Sequence, residues 1–321
     1  MLNKQRGFSL LEIFIALAVG LILLTGVMSV FVGMKTTSTE TSGYGELQEN
    51  GRFALSLLSD DLLRQDFWGD YSGTFDFASL SAIPAVPSTD CTGEGINNAT
   101  FPLVNGHFRT IWGQTVANAS ILGCITDAKV GSDVVQFKRV ISNPVTVTTS
   151  NNYYLVTNLV GGELFTGTAI PVIDNSQVWE YQHRVYYIKE ESQGSNKVPV
   201  LMQGRLTKKM TFDPIIDGIE MIRFMYGVDT TGDNIVNAYI AGDNMNDAQW
   251  DNDPLDIDNT LTSQILAVKI YVLARSILPD NKYTNTNTYQ MGDLSVTVDD
   301  NYRRLLFSST VTLYNAGIDS W

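Results

Sequence analysis

An apolar stretch near the amino terminus constrains this chain more than any other feature of its sequence. Across residues 8–34 the sole charged side chain is Glu12. A helix needs about 20 apolar residues to cross a bilayer, so this stretch is long enough to span a membrane. Lys4 and Arg6 precede it and Lys35 follows it. The positive-inside rule therefore predicts a cytoplasmic amino end and the export of everything after Lys35.

An ordinary secretory signal and a plain signal anchor are the alternative interpretations of this stretch. A secretory signal has a shorter apolar run that ends in a cleavage site of the small-x-small type. Residues 31–35, Phe-Val-Gly-Met-Lys, do not form such a site. A plain signal anchor explains the length of the stretch, but it does not explain the residues at its start.

The segment from Lys4 to Glu12, Lys-Gln-Arg-Gly-Phe-Ser-Leu-Leu-Glu, places a carboxylate inside the apolar helix. At the centre of a membrane helix an acidic side chain costs about 2.5–3.5 kcal/mol, and it costs less near the interface. Glu12 therefore needs a partner. If the chain were cut after Gly7, Phe8 would carry a new positive amine that could match the Glu12 carboxylate of a neighbouring subunit.

This segment resembles the class III signal of type IV prepilins, which has a charge, a glycine, a phenylalanine and a glutamate at this spacing. In that family a dedicated peptidase cuts after the glycine and methylates the new amino terminus. The cut precedes the apolar stretch, so the mature subunit keeps its anchor. The resemblance implies a prepilin leader over residues 1–7, cleavage between Gly7 and an N-methylated Phe8, and an assembly role for Glu12.

The helix is predicted to continue beyond the membrane. After a polar stretch, apolar residues return at helical spacing, which is typical of an amphipathic helix. Polar residues of the same segment, Asp61 and Gln65 among them, are expected on the opposite face or at its margins. The pattern ends at the aromatic residues 67–71, so the sequence predicts a transmembrane helix over 8–34 and an amphipathic continuation over 35–68. The returning apolar residues are Leu47, Phe53, Ala54, Leu57, Leu58 and Leu62.

Residues 69–321 predict a β-rich head. Short runs of β-branched and aromatic residues alternate with connectors rich in Gly, Asn, Asp and Ser, as in antiparallel strands joined by surface loops. We expect no helix after residue 68, and no repeat or linker divides the region. The sequence therefore predicts an α+β, pilin-like fold, in which the long N-terminal helix packs on one antiparallel sheet domain. The predicted strands lie at residues 134–137, 153–156, 185–188, 267–272, 296–298 and 309–313.

Several segments resemble PilW-type minor pilins, and together they run along most of the chain. One departure is Tyr314, where the family pattern often has an arginine before Asn315. The resemblance implies a priming complex with other minor pilins in the inner membrane, which seeds the pilus and ends near its tip. The resembling segments are Leu-Gln-Glu-Asn-Gly-Arg-Phe-Ala-Leu at 47–55, Asp-Leu at 61–62, Gly-Ser-Asp-Val-Val at 131–135, Asp-Gly-Ile-Glu at 217–220, Tyr-Gly-Val-Asp-Thr-Thr-Gly-Asp at 226–233 with Asn237 and Tyr239, and the pair Arg303 and Arg304.

Composition argues against several other classes of function. The chain carries 34 acidic and 21 basic side chains, a net charge of -13. An acidic surface repels phosphate backbones, so no nucleic-acid partner is expected. Two cysteines and two histidines leave little material for metal or histidine-based catalysis. We expect His183 to be a packed or surface residue beside its aromatic neighbours, and we expect no enzyme.

Cys91 and Cys124 are either free buried thiols or the two halves of a disulfide. Export to an oxidising compartment favours the disulfide, which would staple a loop-rich part of the head. A redox function is not expected, because the chain has no Cys-x-x-Cys motif.

A loop in the last third of the chain has some features of a calcium site. Asp229, Thr231, Asp233 and Asn237 supply oxygens at the first, third, fifth and ninth positions, as at the front of a calcium loop. The twelfth position is Ile240, where an EF-hand has a bidentate glutamate, so a cation would need further oxygens from elsewhere. The favoured alternative is a tight Asp/Gly turn that joins two strands. Calcium is kept as the second hypothesis, and no other cofactor is expected.

The function that these features favour is that of a minor pilin that primes type IV pilus assembly and sits at or near the pilus tip, supporting motility and adhesion. The alternatives are a pseudopilin of type II secretion, whose heads are usually shorter, and a tip adhesin with a surface ligand. The expected partners are other minor pilins, the major pilin and the prepilin peptidase. The expected location is the inner membrane, crossed once with a periplasmic head, and then the pilus tip at the cell surface.

Overall fold

The structure, a computed structural model, describes residues 7–73, 75–194, 196–251 and 264–315. The chain divides into two compact units, Met1–Glu46 and Leu47–Trp321. Helix α1, Leu10–Leu63, runs from the first unit into the second. The other described elements belong to the second unit and are mostly antiparallel strands. The expected α+β fold, a long N-terminal helix with an antiparallel β-rich domain, is therefore confirmed.

The first unit contains the apolar part of α1. Among the described helices, α1 alone is long and apolar enough to cross a membrane by length and composition. The apolar side chains from Phe8 to Met34 are exposed, as a lipid-facing surface requires. The hydroxyl of Thr25 donates to the carbonyl oxygen of Leu21 at 2.6 Å, so this polar group is satisfied within its own helix.

The carboxyl-terminal turns of α1 belong to the second unit and bury one face in its core. Gly51 lies on this face, and any side chain there would overlap the ring of Phe307. The neighbouring Asn50 donates from Nδ2 to the carbonyl oxygen of Asp217 at 3.1 Å. The buried residues recur every three or four positions, which is the spacing of one helix face. They are Leu47, Gly51, Ala54, Leu58, Asp61, Leu62 and, just past the helix, Gln65.

Helix α1 ends at Leu63, five residues before the expected end at residue 68. A turn follows, in which the amide of Gln65 donates to the carbonyl of Leu62 and Asp66 has a positive φ of 60°. A left-handed residue stops the helical hydrogen-bond pattern, and aspartate tolerates this conformation better than most residues. Trp68 then donates from Nε1 to the Asp66 carboxylate at 2.9 Å and packs face to face with Phe75.

Seven antiparallel strands form the first sheet. Its order is β1-β2-β5-β3-β4, with β6 paired to the carboxyl-terminal part of β5 and β7 paired to β6. The long β5 therefore connects the two halves of the sheet. The strands are β1 Ile111–Thr115, β2 Asp133–Val140, β3 Tyr153–Thr157, β4 Gly162–Thr166, β5 Gln177–Gln193, β6 Asn196–Leu206 and β7 Met210–Asp217.

A second, four-stranded antiparallel sheet and a separate hairpin belong to the same β-rich domain. The order of the second sheet is β13-β10-β8-β9, and β11 pairs with β12. The strands are β8 Ile219–Asp229, β9 Ala238–Ala241, β10 Gln264–Arg275, β11 Thr288–Met291, β12 Leu294–Thr297 and β13 Arg304–Thr312.

One main apolar core joins α1 to both sheets, with contributions from Leu58, Phe137, Tyr186, Phe224 and Ile270. Burying these large side chains contributes roughly 1.5–3 kcal/mol each. A smaller aromatic cluster surrounds Trp68 at one end of the first sheet. The helix face and the sheets are thus held together by shared apolar contacts.

A short helix, α2 Asp247–Asp251, corrects the expectation of no helix after residue 68. Its start is a reciprocal cap: the amide of Gln249 donates to Asn246 Oδ1, and the amide of Asn246 donates to Gln249 Oε1, both at 2.9 Å. The helix is anchored by Trp250, whose ring lies 4.7 Å from that of Tyr226. A 3-10 turn, Gly242–Asn244, precedes it.

Candidate functional site

The proposed cleavage site lies just before the first helical residue. Gly7 and Phe8 are exposed and non-helical, and Phe8 keeps 85% of its surface accessible. A peptidase needs an extended, accessible backbone, and helical residues would have to unwind first. The remainder of the expected leader, residues 1–6, lies outside the described residues.

Ser9 and Glu12 form a capping box at the start of α1. The backbone amide of Leu11 donates to Ser9 Oγ at 3.3 Å, and the amide of Ser9 donates to Glu12 Oε2 at 3.0 Å. This reciprocal pattern satisfies amides that the first helical turn leaves without partners. It also holds the Glu12 carboxylate at the positive end of the helix dipole, directly beside residue 8.

Cys91 and Cys124 form a disulfide with an S–S distance of 1.99 Å and a Cα–Cα distance of 5.1 Å. It closes a segment with few strands of its own, and the amide of Thr92 donates to the carbonyl of Leu122 at 2.9 Å beside it. Cys91 is fully buried and belongs to the main apolar core. The bridge therefore joins the two ends of this loop region at the main apolar core.

The turn between β8 and β9 uses its side-chain oxygens for its own backbone. Asp229 Oδ1 accepts from the amides of Thr231 and Gly232 at 2.8 Å, and Oδ2 accepts from Asn234 at 2.7 Å. Burial opposes ionisation of Asp229, but these backbone hydrogen bonds outweigh it and hold its pKa below the usual range. This is the geometry of a tight Asp/Gly turn.

Of the other three expected calcium ligands, Thr231 donates its hydroxyl to Asp229 Oδ1 at 3.2 Å, and Asn237 and Asp233 accept from backbone amides. Asn237 Oδ1 accepts from the amide of Thr230 at 2.7 Å, and Asp233 Oδ1 accepts from the amide of Ile235 at 2.9 Å. Within the described ranges, no group of three or more His, Cys, Asp or Glu side chains is arranged to hold a metal ion. Calcium binding at this turn stays a prediction.

Asp61 is fully buried, although the sequence pattern places it on the polar side of α1. Its Oδ1 accepts from Arg139 Nη2 at 2.5 Å and from Arg184 Nη1 at 2.9 Å, and Oδ2 accepts from the Tyr186 hydroxyl at 2.5 Å. Burial raises the pKa of this carboxyl, but Arg184 and Arg139 outweigh that effect and lower it below the ordinary value. This cluster ties the helix to β2 and β5 through charge.

A second buried polar cluster surrounds His183 in β5. Its Nδ1 lies 2.9 Å from Thr100 Oγ1, and its Nε2 lies 3.0 Å from Gln136 Oε1. The imidazole has no exposed surface, and burial together with the nearby Lys138 lowers its pKa well below the usual value. The expectation that His183 is a packed residue agrees with this geometry.

The residues of the PilW-like segments occupy joints between elements. Asp133 at the start of β2 accepts from Arg223 Nη1 and from the amide of Phe224, both at 2.8 Å, so it links the two sheets. Burial raises the pKa of Asp133 to about 6, against the lowering effect of Arg223. Arg304 donates to Glu220 and to Asp300, so this arginine is buried in an ion cluster.

Two family models match the chain. The family described as type IV pilus-assembly protein W matches residues 185–315, a range that includes all of the second sheet. The prokaryotic N-terminal methylation motif matches residues 2–28, a range that includes Gly7, Phe8 and Glu12. No curated protein and no solved structure matches the chain.

Proposed function

We propose that this chain, a PilW-type type IV pilin, primes the assembly of type IV pili and occupies a position at or near the pilus tip. The two family matches confirm the resemblances found in the sequence and support a minor pilin associated with the pilus. They also point to a structural, non-enzymatic protein. The match over residues 185–315 favours the pilus over a type II secretion pseudopilin.

The observation that carries the proposal is the placement of Glu12. It is the one charged side chain across residues 8–34, and its sole hydrogen-bond partner among the described residues is the amide of Ser9. A neutral amide leaves the charge of the carboxylate uncompensated, which is costly in lipid. Cleavage after Gly7 would place a positive amine on Phe8 of each subunit. A neighbouring subunit could then supply the missing charge.

The organisation of the second unit supports a structural role. Several residues that resemble the family connect secondary-structure elements. Gly51 of α1 leaves room for the ring of Phe307, Asp133 links the two sheets, and Asp229 closes the turn between β8 and β9. They hold the helix and the sheets in one arrangement, as a subunit that must dock on others requires.

The anchor and the size of the head set the proposed location and partners. Helix α1 and the methylation motif fit a membrane-anchored pilin that a prepilin peptidase processes. We propose that it crosses the inner membrane once, with its head in the periplasm, and binds other minor pilins and the major pilin. A large head, residues 69–321 within the unit Leu47–Trp321, meets least crowding at the end of a helical filament.

Replacing Glu12 by leucine tests this function. Glu12→Leu should still be inserted and cleaved, because leucine favours the membrane and the peptidase acts at Gly7. We expect the variant to be lost from complexes with partner minor pilins and piliation to fall. Removing one member of a buried ion pair costs about 3–5 kcal/mol, which corresponds to orders of magnitude in affinity.

Thr25→Leu is the matched control, because it also removes a polar group from the apolar stretch, and the Thr25 hydroxyl bonds within its own helix. It should leave co-purification and piliation unchanged. Normal partner recovery and normal piliation with Glu12→Leu would contradict the proposal. A gene deletion that abolishes protein secretion but leaves pili intact would instead favour the pseudopilin alternative.

A further inference from the structure

Lys138 of β2 is a buried amine held by neutral hydrogen-bond acceptors in the described part of the chain. Its side chain has no exposed surface, and within the described ranges its Nζ forms no ion pair. The Nζ atom donates to Asn98 Oδ1 and to the carbonyl oxygen of Arg109, each at 2.9 Å, and it lies 4.9 Å from the centre of the Phe108 ring. Burial lowers the pKa of Lys138 well below its usual value, which favours the neutral, nucleophilic amine.

The carboxamide of Asn98 is held in place against this amine. Asn98 is 2% exposed, and its Nδ2 donates to the carbonyl oxygen of Glu94 at 2.8 Å. Its Oδ1 accepts from Gln136 Nε2 at 2.5 Å in addition to Lys138. A carbonyl bond is about 1.2 Å long, so Lys138 Nζ lies within about 3–4 Å of Asn98 Cγ, which is close to the separation of reacting atoms in a near-attack arrangement.

We propose that Lys138 and Asn98 become joined by an intramolecular isopeptide bond. The lone pair of Nζ attacks Cγ of Asn98, so that an Nζ–Cγ bond forms. One proton moves from Nζ to Nδ2, the Cγ–Nδ2 bond breaks, and ammonia leaves. The product is a secondary amide between the two side chains. The step is a transamidation, so it needs no oxidant, reductant or other reactant.

Gln136 is the residue placed to assist this step. Its Nε2 donates to the Asn98 oxygen on which negative charge develops when Nζ attacks, the role of a donor in an oxyanion hole. The amide of Gln136 is itself oriented by His183, whose Nε2 lies 3.0 Å from Gln136 Oε1. The side chains of Asn98, Gln136 and Lys138 are buried, so water neither competes with the amine as the nucleophile nor weakens their hydrogen bonds.

The bond would add a second covalent tie to the region that the disulfide closes. Residue 98 lies in the segment between Cys91 and Cys124, and Lys138 lies beyond it in β2, so the two closed loops would overlap along the chain. The disulfide is lost under reducing conditions, whereas an amide is not. A subunit with both ties would keep this region cross-linked after complete reduction and denaturation.

Mass spectrometry of the full-length chain, purified from membranes in detergent, tests the proposal. After reduction and denaturation, we expect the intact mass to be lower than that of the methylated mature sequence by one ammonia. A protease digest should yield a branched peptide that joins the segments carrying Asn98 and Lys138. An amine-reactive label applied to the denatured chain should modify the other lysines but leave Lys138 unmodified.

Two variants separate this bond from other losses of ammonia. Lys138→Met should restore the full mass, whereas a cyclic imide formed at Asn98 alone would persist in this variant. Lys189→Met removes a lysine from the adjacent strand β5 and should keep the deficit. The proposal is overturned if the wild-type chain with an intact Cys91–Cys124 disulfide has its full mass and yields labelled Lys138. That measurement needs no variant, so a folding failure in Lys138→Met would not obscure it.

Discussion

Asp61→Asn measures how strongly the buried ion cluster holds helix α1 to the first sheet. The substitution keeps the size of the side chain and one acceptor oxygen but removes the charge. Arg139, whose side chain is 2% exposed, then loses its counterion in the protein interior. Arg184 is 24% exposed and recovers part of its hydration. Breaking a buried pair costs about 3–5 kcal/mol. Because Arg184 is partly exposed, we expect the free energy of unfolding to fall by about 3 kcal/mol.

Thermal unfolding of the full-length chain in detergent, followed by near-ultraviolet circular dichroism at neutral pH, is the assay. For a domain of this size each kcal/mol shifts Tm by about 2–4 °C, so the expected decrease is about 6–12 °C. Asp60→Asn is the matched control, because Asp60 pairs with Arg64 at 2.7 Å on the exposed face, where both side chains are about half exposed. Exposed pairs contribute at most about 1 kcal/mol, so its Tm should barely change.

The pH dependence of the difference in Tm between the wild type and Asp61→Asn gives a second test, whose direction follows from the pKa of Asp61. The folded state lowers the pKa of Asp61, so folding is favoured wherever the carboxylate of the unfolded chain is ionised. The stabilisation is therefore complete above pH of about 4 and is lost as the pH falls through the lower folded value. The difference between wild type and Asp61→Asn should narrow in acid. Equal Tm values for Asp61→Asn and Asp60→Asn at neutral pH would refute the reasoning.

Three further outcomes are expected. Mass spectrometry of the assembled subunit should show a chain that begins at a methylated Phe8, and a subunit with an intact leader would contradict the processing. Reduction of the Cys91–Cys124 bridge should destabilise the head by about 3–4 kcal/mol in the chain-entropy model, and peptide mapping that recovers both thiols free from the periplasm would contradict the disulfide in the cell. The calcium hypothesis predicts binding heat when calcium is titrated into the full-length chain in a calorimeter. No heat at millimolar calcium would mean that Asp229 serves the turn and binds no calcium.

The sequence predicts the strands that contain runs of β-branched and aromatic residues. The β-branched and aromatic runs around Tyr154 and Val268 lie in β3 and β10, because such residues pack well on a pleated, buried surface. β7 is not among the predicted strands, and it contains Pro214, a residue that argues against a central strand. Among the described strands β7 pairs with β6 alone, so Pro214 lies in an edge strand. The reciprocal cap of α2, Asn246 with Gln249, is a signal that could have been recognised in the sequence.

The buried charges could not be predicted in this way. Asp61 occupies a helix position that periodicity assigns to the polar side, and its partners Arg139 and Arg184 lie 78 and 123 residues away. Lys138 likewise lies in β2 between Phe137 and Arg139, and its hydrogen-bond partner Asn98 lies 40 residues earlier, in a loop. A charge is buried when distant residues converge on it, and hydropathy along the chain carries no information about that convergence.

Glu12 has a capping role at the start of α1 and a proposed role in assembly, and a leucine substitution removes both together. Its oxygen accepts from the Ser9 amide, which stabilises the first turn of α1, and in the proposed assembly its charge pairs with the amine of a processed neighbour. Glutamine retains the acceptor oxygen but not the charge. If assembly depends on charge compensation, Glu12→Gln should be lost from partner complexes as completely as Glu12→Leu, although its helix start is intact. Recovery of Glu12→Gln with partners at the wild-type level would mean that the carboxylate serves the helix start alone, and that another contact selects the neighbouring subunit.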